Sequence, residues 1–262
     1  MSMPTVCAIM LTRDRPAMTA RAVESFRRQT YENKDLLILD SGGEGESFDD
    51  DAADIWHAWH PEFAMKTIGE LRNQAIAMGG VASELDIIAH FDSDDLSHPN
   101  RLAEQVALLQ SSGADCVGYN EMIFWQSPAT VENWKERAAS GESQIGLAWL
   151  YSNHIPPNYV LGTSLCYWRK AWEAHPFDDI NQGEDMRFVG KVKTVGVSAL
   201  SVGMDGTSRG CARCFSIPCM CEPRMIAAIH GNQSSRYDPA GKPNNFRRVP
   251  EWDSYCAQRM KL

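Results

Sequence analysis

The chain has 262 residues, a formal net charge of -9, 44% hydrophobic residues and 23% charged residues. Such a chain buries a full core without disulfides and has the composition of a folded protein. Its acidity argues against a scaffold devoted to gripping nucleic acid, which needs clustered Lys and Arg. No stretch reaches the roughly 18 apolar residues that span a bilayer, and residues 1–4 lack the charged-then-apolar order of a signal peptide, so a cytoplasmic location is expected.

Strand-like and helix-like segments alternate through the first half, the pattern of β-α-β units around a mostly parallel sheet. The apolar run 5–11 (TVCAIML), bounded by Pro4 and polar residues 12–15, reads as a buried strand. A helix is expected over 16–30, with Pro16 suited to its first turn and Ala22, Val23 and Phe26 at helical spacing. A second strand, 35–40 (DLLILD), ends in the turn signal Ser41-Gly42-Gly43. The acidic stretch 45–54 reads as a surface loop packed down by Trp56 and Trp59. A helix over 68–78 closes on Gly79-Gly80, and the third strand, 85–91 (LDIIAHF), runs directly into Asp92-Ser93-Asp94-Asp95. A helix over 98–111 and a strand over 114–118 follow.

The second half is less regular. It reads as a helix near 129–139, a strand over 160–168, a helical turn over 169–174, a helix over 184–195 opening on Gly183, and strands over 199–203 and 225–230. Beyond Gly231 the chain is polar and Pro-rich, so residues 232–262 are expected to form an extended tail with little core of its own. Cys7, Cys116 and Cys166 sit in apolar runs and read as small buried hydrophobes.

In an open α/β sheet, ligands bind beyond the carboxyl ends of the strands, where Asp92, Asp94 and Asp95 lie. Three carboxylates this close raise one another's pKa unless something neutralises them. A hard divalent cation shared with substrate phosphates, Mg²⁺ or Mn²⁺, satisfies that need. The competing reading is an acidic turn whose Asp94 or Asp95 caps the next helix.

These residues carry a resemblance to glycosyltransferase family 2. Residues 9–16 (IMLTRDRP) resemble the family's opening strand and turn, 25–31 (SFRRQTY) its first helix, 37–42 (LILDSG) its second strand, and 69–73 (GELRN) the element before the metal motif. The block FDSDD at 91–95, followed by His98, Pro99, Arg101, Leu102 and Gln105, is the strongest match, and Gly183-Glu184-Asp185 is similar to a late acidic pair. The resemblance implies an α/β fold, a Rossmann-like mixed, mostly parallel sheet flanked by helices, known as the A-type glycosyltransferase fold. Residues 1–231 then form the transferase domain, with a nucleotide-sugar half at 1–118, an acceptor half at 119–231 that includes a Cys-rich loop at 203–223, and the tail at 232–262.

By this resemblance Thr12, Asp14, Arg15 and Ser93 contact the donor, Asp40 receives the N–H of a uracil-like base, and Arg72 faces the diphosphate. Asp40 also reads as a turn starter before the glycines, and Arg72 as a solvated helix arginine. Asp92 holds the ribose or supports the metal, Asp94 binds Mn²⁺ or Mg²⁺ directly, and His230 completes the shell. Asp185, or Glu184 in exchange, is the expected general base for inverting transfer, although carboxylates opening a helix also favour its dipole. Asn73 is a further donor-side candidate.

Cys211, Cys214, Cys219 and Cys221 lie outside the family pattern; they suit a tetrahedral structural Zn²⁺ site, with free or redox-active thiols as the alternative. Trp125, Trp134, Trp149, Trp168 and Trp172 are core residues or stacking platforms for an acceptor. The locally basic tail suits an anionic acceptor, a glycan or modified DNA, or is simply a solvated charged segment. The expected partners are therefore a nucleoside diphosphate sugar, uridine-linked, and an acceptor hydroxyl. A sugar nucleotidyltransferase would need a Gly-rich triphosphate loop that residues 11–18 do not have, and a non-catalytic sugar-nucleotide-binding module is the other rival.

Overall fold

The structure is a computed structural model, and it describes residues 3–45, 53–79, 85–119, 121–128, 145–152, 160–194, 199–202, 224–229 and 246–260. At its centre β1 (Thr5–Thr12) lies between β2 (Lys34–Asp40) and β4 (Leu85–His90), parallel to both. A strand covered on both faces shows no polar alternation, which is why residues 6–10 are uniformly apolar and at most 2% exposed. The side chains nevertheless divide by a period of two. Val6, Ala8 and Met10 join one core with α1 (Pro16–Arg27) and α3 (Arg101–Ser112); Cys7 and Ile9 join another with α2 (Ile68–Gly79).

The full sheet runs β10-β6-β9-β4-β1-β2-β3, with β3 at Ile55–Trp59, β6 at Cys116–Tyr119, β9 at Cys166–Trp168 and β10 at Ala199–Val202. Among the described strands of this sheet, only β9 runs antiparallel to its neighbours, β4 and β6. A second sheet, β12-β8-β7-β11-β5, is built from β5 (Asp95–Ser97), β7 (Glu121–Gln126), β8 (Leu147–Ser152), β11 (Met225–Ile229) and β12 (Phe246–Arg248). Short helices α4 (Arg169–Ala174) and α6 (Asp253–Arg259) and the longer α5 (Glu184–Thr194) complete the described strands and α-helices. Because β5 begins at Asp95, the acidic turn is also the point where the chain passes from one sheet to the other.

Several expectations are corrected. The segment at 55–59 is an edge strand; Trp56 and Trp59 are 39% and 49% exposed, though Trp59 donates from Nε1 to the Gly42 carbonyl at 3.0 Å. The second sheet, absent from the sequence reading, takes in β7 and β8. The strand expected over 160–168 divides into a 3-10 turn at Gly162–Ser164 and β9. Residues 246–260, expected within a coreless tail, place Phe246, Val249, Cys256 and Met260 in the core of the second sheet. Asp253 fixes this segment by accepting from the Ala148 amide at 2.8 Å. The helix expected near 129–139 lies outside the described residues.

The start of α2 is held by chain from far along the sequence. Its Ile68 amide donates to Asn181 Oδ1 at 3.1 Å, and its Gly69 amide to the Ile180 carbonyl at 3.1 Å, so tertiary contacts satisfy donors that a helix start leaves open. A Cβ at Gly69 would lie 1.8 Å from the Asp178 carbonyl oxygen, a backbone atom unable to swing away. Gly69→Ala is therefore expected to cost about 1–3 kcal/mol in urea melts, the scale of overpacking. Gly190→Ala, in open space within α5, should instead stabilise by up to about 1 kcal/mol through helix propensity.

Candidate active site

The carboxyl ends of β1, β2 and β4 open onto one cleft of about 530 Å³. It lies where the chain departs from β1 in both directions across the sheet, the switch point at which successive loops diverge and leave a crevice. Met122, Phe124 and Ala227 of the second sheet supply an apolar wall.

Asp92, Asp94 and Asp95 place a carboxylate oxygen each within 4.8 Å of one another. Burial raises the Asp92 pKa, with Arg72 opposing, and it drives Asp95 well upward together with the charges of Asp94 and Asp92. Three crowded hard oxygen donors fit a divalent cation such as Mg²⁺ or Mn²⁺. Asp95 does not cap α3: its Oδ2 accepts from Thr163 Oγ1 at 2.6 Å, and Asn100 occupies the cap position.

Arg101, with no exposed surface, lies against this group. It donates to the His90 carbonyl at 2.7 Å, the Thr163 carbonyl at 3.0 Å, Ser97 Oγ at 2.9 Å and Gln105 Oε1 at 3.1 Å. Its guanidinium lies 4.5 Å from the Phe91 ring centroid.

Arg72 is buried, paired with Glu184 at 3.4 Å and bonded to His90 Nδ1. Burial alone lowers its pKa, but Asp92, Glu184 and Asp185 outweigh that and the net shift is upward. His90 is pulled well below its ordinary value by burial and then by Arg72, so it is neutral. Its Nε2 meets the Tyr167 hydroxyl at 3.1 Å. Beside them Gly183, at φ +79, leads into α5, where Asp185 Oδ1 accepts from the Met186 amide at 2.7 Å. A Cβ at Gly162 would meet Asp185 Oδ2 at 2.4 Å, so that residue must be glycine for the carboxylate to lie there. Consecutive residues thus touch the two acidic groups: Gly162 lies against Asp185, and Thr163 binds Asp95.

At the other end, Thr12 Oγ1 and Thr19 Oγ1 share a hydrogen bond of 2.7 Å. Asp14 adopts φ +52 and its Oδ1 accepts from the Gly43 amide at 3.1 Å. Arg15 pairs with Asp94 at 3.0 Å. All three line the cleft, as do Arg72, Asp92, Ser93, Asp94, Glu184 and Asp185. The Ser93 hydroxyl is buried with no hydrogen-bond partner among the described residues.

Asp40 does not line the cleft. It is fully buried, its Oδ1 accepts from the Gly42 amide at 2.8 Å and its Oδ2 lies 3.5 Å from His57, so in this conformation it serves the turn. Asn73 is likewise structural, accepting from Trp172 Nε1 and the Phe177 amide. Trp125, Trp149, Trp168 and Trp172 do not line the cleft. His230, the four cysteines at 211–221 and Trp134 lie outside the described residues. His90, Thr163 and Gly162 went unread in the sequence; only the unusual histidine inside an apolar strand offered a signal.

A family model described as Glycosyl transferase family 2 matches residues 7–147. No curated protein matches the chain in sequence. Among solved structures, the mannosyltransferase PcManGT from Pyrobaculum calidifontis in complex with GDP-Man and Mn²⁺ aligns at 13% identity and TM-score 0.54, covering 98% of this chain and 69% of that one. S. aureus TarS aligns at 13% identity and TM-score 0.53, covering 86% and 37%. TarS 1-349 in complex with UDP-GlcNAc aligns at 13% identity and TM-score 0.52, covering 89% and 62%. The chain therefore spans less than two thirds of these TarS chains, and at such identity the likeness is one of fold.

Burial raises the Glu184 pKa above its ordinary 4.5, with Arg72 only partly offsetting it. A carboxyl whose folded pKa is raised costs nothing below its unfolded pKa and costs stability once pH passes the folded value. Glu184→Gln should therefore raise the melting temperature at pH 8 and leave it unchanged near pH 4. A lower melting temperature at pH 8 would show that the Arg72 pair outweighs burial.

Proposed function

The chain belongs to glycosyl transferase family 2, and from that premise we propose that it transfers a sugar from a nucleoside diphosphate sugar, uridine-linked, to an acceptor hydroxyl with inversion at the anomeric carbon. The observation that carries this reading is the spacing set by Gly162 and Thr163, which brings Asp185 and the acidic triad to one cleft. The acceptor we favour is a glycan or a modified nucleic acid.

Asp94, Asp92 and Asp95 would hold Mn²⁺ or Mg²⁺. Once bound there, the cation supplies charge stabilisation to the departing diphosphate, which then leaves without a proton. The chain's own groups do the rest. Asp185 takes the acceptor's hydroxyl proton as the acceptor oxygen bonds to the anomeric carbon and the sugar–phosphate bond breaks on the opposite face. Glu184 is the less accessible of the two, buried and engaged by Arg72 at 3.4 Å, whereas Asp185 is partly exposed and its Oδ1 is oriented by the Met186 amide. Thr12, Asp14 and Arg15 line the nucleotide end. The apolar wall of Met122, Phe124 and Ala227 limits water near the reacting bond.

Asp185→Asn should retain the thermal shift produced by a nucleotide sugar with Mn²⁺ yet lose about 10²- to 10⁴-fold in transfer rate, the contribution of a general base. Loss of both would make Asp185 structural. Gly162→Ala should give the same pattern, because it displaces the carboxylate without touching the triad. Release of nucleoside diphosphate from a panel of UDP- and GDP-sugars identifies the donor; no release from any member, with fold and metal binding intact, would favour a binding module.

A further inference from the structure

We propose that Arg15 is the resident counter-ion of the acidic triad: it holds Asp94 until a divalent cation takes that carboxylate, and then turns to the donor diphosphate. Metal and donor would thereby bind as a coupled pair. The proposal rests on the reading of the triad as the cation site and of the cleft as the donor site.

The carboxylates are not equivalent in what holds them. Asp95 is tied to Thr163 at 2.6 Å, and Asp92 lies in the field of the buried Arg72 and Arg101. Asp94 is the one reached by a partly exposed cation, Arg15 Nη1 at 3.0 Å, with the two side chains 24% and 17% exposed. Arg72 and Arg101 are packed among fixed partners and cannot leave. Arg15 stands at the N-cap position of α1 on the cleft wall, outside the core clusters, and its Nε also reaches the Arg13 carbonyl at 3.5 Å.

A dication beside Asp94 would compete with Arg15 for the carboxylate and repel its charge. The nearest new anion is the donor diphosphate, whose oxygens suit a planar guanidinium at least as well as a carboxylate does. The exchange replaces one charged hydrogen bond by another, so its cost is small when both ligands arrive and larger when the cation arrives alone. Linkage then requires that each ligand strengthen the other.

The test is Mn²⁺ binding to the full chain, followed by the free-ion magnetic resonance signal and by calorimetry, without nucleotide and with UDP. Arg15→Gln should bind Mn²⁺ about three- to fivefold more tightly without nucleotide, the worth of a partly exposed ion pair. It should also gain less from UDP than the unmodified protein does. Arg21→Gln sets the through-space baseline: Arg21 senses Asp94 electrostatically, but its guanidinium donates to the Met260 carbonyl. A shift in Arg15→Gln no larger than in Arg21→Gln, or an undiminished response to UDP, overturns the exchange. Asp94→Asn separates the two levels. Loss of Mn²⁺ in that variant supports the triad as the site, whereas unchanged binding overturns the triad reading and the exchange with it.

Discussion

The site depends on a cation that no solvent reaches. Arg101 reaches the backbone on both sides of the acidic turn, the His90 carbonyl at the end of β4 and the Thr163 carbonyl beside β9, while Ser97 and Gln105 take its remaining donors. A buried guanidinium is tolerated only when its hydrogen bonds are this complete. Burial raises the pKa of both Asp92 and Asp95, and the Arg101 charge opposes part of that rise. Arg101 thus joins the central sheet to the 162–164 turn and, through Ser97, to the strand that opens the second sheet, and it makes a crowded carboxylate turn affordable.

From that anchor the cleft divides into two ends with different electrostatics. At the acidic end two positive charges are fixed, because Arg72 and Arg101 are buried and bonded in place. At the opposite end, Asp14 and Arg15 follow β1, with Asp14 in a left-handed conformation at φ +52. The rigid end suits the developing charge of a reaction, because preorganised dipoles need no rearrangement. The other suits a ligand that comes and goes.

How much of this was legible depended on whether the signal was local. The strands β1, β2 and β4 were readable because a parallel strand covered on both faces is apolar throughout. Edge strand β3 was not, since only Ile55 of its five residues is buried. Strands β7 and β8, and the residues at 246–260, bury their apolar groups against one another, β11 and scattered residues such as Tyr119 and Leu161, so no single segment advertises the second sheet.

The sequence by itself determined the alternation of the first half, the acidic turn at the end of β4 and the glycine before Glu184, because periodicity, turn residues and charge density are properties of neighbouring residues. Tertiary structure decided the rest. It alone put Arg72 on Glu184 and His90, Thr163 on Asp95, and Gly162 beneath Asp185. Each of these outcomes requires two segments distant in the chain to meet, and whether a carboxylate binds an amide, a guanidinium or a ligand is settled by what burial places beside it.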